Sequence, residues 1–69
     1  MDRHELINRF TYHQPKGNQT ERYSEIREQA FLFAKYLSAN CPSSREQSLA
    51  FTALEECVMW ANASIARNE

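Results

Sequence analysis

The sequence predicts an all-α protein: a short N-terminal helix, then an antiparallel two-helix hairpin that assembles as a homo-oligomer. Three observations predict it. The 69 residues contain one Gly and two Pro, so regular elements have few breaks. Two stretches repeat apolar residues at three- and four-residue spacing, the pattern of a helix with one buried stripe. Finally, those helices are apolar on more sides than a single seam covers.

Residues 1–69 read as one domain. Residues 1–17 supply a helix and a loop, 18–40 the first long helix and 43–68 the second. Residues 2–10 give two helical turns with Leu6, Ile7 and Phe10 on one face. Thr11-Tyr12-His13-Gln14-Pro15-Lys16-Gly17 is an ordered loop, because Pro15 and the only Gly of the chain interrupt a helix. Asn18 with Glu21 reads as a capping box opening the first long helix. Its stripe is Tyr23, Ile26, Ala30, Phe33 and Leu37, and Pro42 requires a stop at or before Asn40. Ser43 or Ser44 caps the second long helix, whose stripe is Ala50, Leu54, Cys57, Ala61 and Ile65. So short a connection makes the long helices antiparallel neighbours.

The surplus apolar surface decides the assembly. Phe31, Leu32, Ala34 and Tyr36 lie off the first stripe, and Leu49, Phe51, Ala53, Val58, Met59 and Trp60 off the second. A chain this small rarely folds on one seam alone. The expected resolution is a symmetric homo-oligomer. The rivals are a third chain segment, for which residues 2–10 are too short, and a host protein bound through Phe51, Val58, Met59 and Trp60.

Composition narrows the function. Eight Lys+Arg against nine Asp+Glu leave a net charge of −1, unlike the basic excess of a DNA or RNA polymer binder. No apolar run spans a bilayer, and no apolar signal segment follows Met1, which predicts a cytosolic protein. Cys41 and Cys57 form no metal motif and read as reduced thiols. His4 and His13 lack a third ligand at metal spacing. Glu55 and Glu56, adjacent on a helix, point apart and share no site. No catalytic, metal or cofactor site is expected.

One region carries binding chemistry. Arg9, Lys16, Arg22 and Arg27 are interleaved with Phe10, Tyr12, His13 and Tyr23. Rings offer a π-face to a base and cations suit a phosphate. A solvated face of Arg22 with Glu21, Glu25 and Glu28 is the plainer reading of the same residues. Arg67 is either a complement to the helix dipole or a phosphate contact. Trp60 reads as an interface anchor.

Phe10-Thr11-Tyr12-His13 with Pro15-Lys16-Gly17, and the long run from Ser44 to Glu69, resemble the phage hairpin-domain family of cyclic-nucleotide sponges, which counter the bacterial CBASS and Thoeris defences. The resemblance covers nearly all the chain from Phe10 onward. Gln14 stands where the family more often has Pro, and Cys57 where a small Ala is common. The resemblance implies a hexamer of helical hairpins in the cytoplasm of the infected host. It implies cyclic dinucleotides held uncleaved between paired subunits, and cyclic trinucleotides in separate pockets. Carried onto this sequence, it implies Tyr12 stacking on a purine and Arg27 contacting phosphate. Lys16 and Arg9 follow as secondary candidates, with Arg67 contributed by a neighbouring subunit.

Overall fold

The computed structural model describes residues 1–69 and is entirely helical. Helix α1 spans Arg3–Phe10, α2 Gln19–Asn40 and α3 Arg45–Asn68. Asp2 opens α1, its side chain accepting a hydrogen bond from the Glu5 N–H at 2.8 Å. The 22 residues of α2 and 24 of α3 are rods of about 33 and 36 Å. They pack antiparallel as the two arms of the hairpin. No helix is long and apolar enough to cross a membrane.

The turn between the arms is closed by local hydrogen bonds. Cys41 takes the extended conformation that precedes proline, and its N–H reaches back to the Leu37 carbonyl at 2.9 Å. Ser44 is the N-cap of α3: its hydroxyl oxygen accepts from the Gln47 N–H at 3.1 Å and its O–H donates to Pro42 O at 3.0 Å. The Gln47 amide then donates to Cys41 O at 3.1 Å, binding the first turn of α3 to the end of α2.

The seam departs from the expected stripes. On α2 the half-buried apolar positions are Tyr23, Ile26, Ala30, Ala34 and Leu37, and Phe33 is exposed. On α3, Phe51 and Val58 join Ala50, Leu54, Ala61 and Ile65, while Cys57 is exposed. Thus Ala34 replaces Phe33 and Val58 replaces Cys57. The cause is helical period: a strict 3-4 alternation suits 3.5 residues per turn, and over several turns a straight helix at 3.6 carries the contact on by a residue. Small Ala30 and Ala34 also let the facing helix approach.

No hydrophobic residue is fully buried. The chain exposes 5704 Å², against about 4,500 Å² for a compact monomer of this mass. It measures 45 × 29 × 13 Å, with a radius of gyration of 15.2 Å against about 11 Å for a compact chain of this length. The hairpin is therefore a slab one helix deep. Phe10, Tyr12, Phe31, Tyr36, Met59 and Trp60 are each more than half exposed.

Candidate functional site

The loop after α1 returns the chain to the open end of the hairpin, opposite the Cys41–Ser44 turn. Gly17 makes the return possible, with φ +58°, a conformation that other residues adopt at a cost. Asn18, at φ −92° and ψ 16°, then leads into α2. This overturns the capping box expected of Asn18 and Glu21. An N-cap needs extended backbone to aim its side chain at the first turn, and Asn18 makes no such bond. The neighbouring side chain turns back to the loop: Gln19 Oε1 accepts from the Lys16 N–H at 3.1 Å.

Gln19 is the only fully buried residue, 3% exposed. Its amide nitrogen donates to Glu69 Oε1 at 3.1 Å. The same carboxylate receives both arms of the Arg22 guanidinium, Nη1 to Oε1 at 2.9 Å and Nη2 to Oε2 at 2.7 Å. Hydrogen bonds from Arg22 and then Gln19 hold the Glu69 carboxyl below its ordinary pKa, and the Glu69 carboxylate raises Arg22 in turn. Arg22 is thus bound across the hairpin and does not merely join a solvated face with Glu21, Glu25 and Glu28. Long-range pairs of this kind carry no spacing signal, so neither Gln19 nor Glu69 stood out among the residues.

Two more tethers hold the loop. His13 Nε2 lies 2.8 Å from the Asn8 carbonyl, an acceptor, so this ring nitrogen carries the proton and donates. Arg67 Nη2 lies 3.4 Å from the Arg9 carbonyl, joining the last turn of α3 to the last turn of α1. The Arg9 guanidinium is taken by Glu5 at 2.8 Å. Arg9 and Arg67 are therefore brought together, and Lys16 lies close enough to Glu69 to contribute to its lowered pKa.

Tyr12 and Arg27 stand apart. Tyr12 is 81% exposed and borders a shallow cavity of about 560 Å³ with His4, Ile7, Asn8 and His13. Arg27, exposed and in no ion pair, lies at one end of a 650 Å³ groove between α2 and α3. Phe31, Ala34, Phe51, Leu54, Val58 and Met59 floor that groove, and Lys35 and Glu55 edge it. No residue borders both spaces. Within one chain the Tyr12 ring and the Arg27 guanidinium line separate spaces. Toward the C-terminal end of α3, the Oδ1 of Asn62 is inaccessible and has no hydrogen-bond partner. Nowhere do three His, Cys, Asp or Glu residues gather as a metal would require, and both cysteines are free thiols.

The family model described as Acb2/Tad1, hairpin domain, matches residues 1–66. No curated protein and no solved structure matches the chain.

Proposed function

We infer, because the chain belongs to the Acb2/Tad1 hairpin-domain family of anti-CBASS and anti-Thoeris sponges, that it sequesters cyclic oligonucleotide second messengers in the infected bacterial cell. The ligands are cyclic dinucleotides, with cyclic trinucleotides as a second class, and they are held without being cleaved. Removing the messenger leaves the CBASS effector inactive. The observation that carries this reading is the match over residues 1–66.

The geometry supports a site made by association. Surface area well above that of a compact monomer, and large side chains exposed on both faces, favour a homo-oligomer, a hexamer by family likeness. Two copies related by a twofold axis would present two Tyr12 rings and two Arg27 guanidinium groups. A cyclic dinucleotide carries two bases and two phosphates, so the symmetries agree. Lys16 supplies a further cation near the loop. Arg9 and Arg67 each commit one Nη2, to Glu5 and to the Arg9 carbonyl, and keep other N–H donors for a phosphate. A charge-assisted contact contributes about 1.5–3 kcal/mol and a stacked base about 1–3 kcal/mol. A few of each reach sub-micromolar affinity.

Calorimetry with a panel of cyclic dinucleotides, alongside light scattering, tests the reading. Tyr12→Ala and Arg27→Ala each abolish binding and leave the oligomer intact. Unchanged affinity in both variants removes the site assignment. Ligand recovered intact after heat denaturation supports a sponge, whereas linear products mean an enzyme. A folded monomer without nucleotide affinity that binds a host protein through Met59 and Trp60 would instead make the chain an adaptor. Phe51 and Val58 are partly taken up by the seam and give that alternative less surface than the sequence suggested.

A further inference from the structure

The one fully buried residue of the chain is polar, and both ends of its side chain are occupied. Gln19 accepts from the Lys16 N–H with its oxygen and donates to Glu69 with its nitrogen, each at 3.1 Å. Lys16 belongs to the loop and Glu69 follows α3, fifty residues on from Gln19, so a single amide joins the loop to the far end of the chain. Arg22 fixes the far side of that joint by gripping both Glu69 oxygens. The loop itself has no apolar anchor: Phe10 and Tyr12 are 83% and 81% exposed. His13 ties the loop to the Asn8 carbonyl of α1, and Arg67 ties α1 in turn to α3. The loop's direct hydrogen bonds to the hairpin both run through Gln19: its side chain takes the Lys16 N–H, and its backbone N–H donates to the Lys16 carbonyl at 3.1 Å.

We propose that Gln19 is a positioning residue: from its buried place between Lys16 and Glu69 it fixes the loop that carries Tyr12. The role in binding rests on the reading of Tyr12 as the stacking residue. With the side-chain tie gone and only the Gln19 N–H bond to the Lys16 carbonyl left, residues 11–17 sample other directions. The ligand must then order them at the moment it binds, which lowers affinity without removing any contact.

The test pairs hydrogen exchange of the unliganded protein with calorimetry on cyclic di-AMP and cyclic di-GMP. Gln19→Met keeps the buried volume and drops both hydrogen bonds. Expected are about tenfold faster exchange at the Lys16 amide, whose N–H Gln19 holds, and about tenfold weaker binding, with helical circular dichroism unchanged. Gln19→Glu sets two carboxylates against each other and loosens the loop as well. Adding Glu69→Gln to it exchanges acid for amide, re-forms both bonds and restores the protection. Ser44→Ala, at the opposite end, destabilises the hairpin and leaves loop exchange alone.

A wild-type exchange pattern in Gln19→Met overturns the proposal, because packing alone would then hold the loop. Faster exchange with unchanged affinity overturns its role in binding. If the wild-type chain binds neither nucleotide, the reading of Tyr12 fails, while the exchange data still decide whether Gln19 holds the loop.

Discussion

The two ends of the hairpin are built differently. At the turn, Leu37, Cys41, Ser44 and Gln47 satisfy one another within ten residues of sequence. At the open end, Gln19, Arg22, Arg67 and Glu69 join segments 47 to 58 residues apart through side chains. The turn is held by bonds that form as soon as the helices form. The open end is held only once the whole chain is in place. The loop with Tyr12 belongs to that second end, so the part assigned to recognition depends on the most distant contacts in the molecule.

The largest effect that separates the ends is at Gly17. A Cβ there meets nothing within 4 Å, yet the backbone is left-handed. Gly17→Ala therefore isolates backbone strain and costs about 1–2 kcal/mol in denaturant unfolding, with Gly17→Asn costing less. Equal stability of the Ala variant and wild type would mean that the loop does not need this conformation.

At the turn, Ser44→Ala removes the cap of α3 and costs about 1 kcal/mol in the same measurement. The comparison is sharpened if the Gly17 variant loosens the loop and the Ser44 variant does not. Equal loosening by both would erase the distinction between the ends.

The smallest effect is electrostatic. The folded Glu69 carboxyl lies below its ordinary pKa, so its contribution is complete at neutral pH. It is lost as pH falls through that lowered value, while Arg22 stays charged throughout. The pair is partly solvent-exposed and screened by salt, which keeps the effect small. Thermal midpoints of wild type and Glu69→Gln should differ slightly at neutral pH and converge in acid. A constant gap would show that the charge of Glu69 contributes nothing.

The same contrast explains what was legible in the sequence. The all-helical class followed from spacing and from the scarcity of Gly and Pro, and the Ser44 cap and the stop before Pro42 are local chemistry. The capping box at Asn18 failed because Gly17 turns the backbone first, placing Gln19 rather than Asn18 against the loop. Phe33 and Cys57 were set in the seam by a period slightly too short, and Ala34 and Val58 occupy it. Arg22 and Glu69 lie too far apart in sequence for any motif to connect them. Tyr12 and Arg27 stood out through residue type and family likeness, but their separation on a single chain emerges only in three dimensions.

The 13 Å depth of the molecule has a consequence for how such a protein changes. With no interior shielded from its surroundings, nearly every side chain is available to something outside the chain. Substitutions then tend to alter what the protein adheres to before they alter whether it folds. Such a hairpin can acquire new binding partners by small steps, without having to rebuild a core at each one.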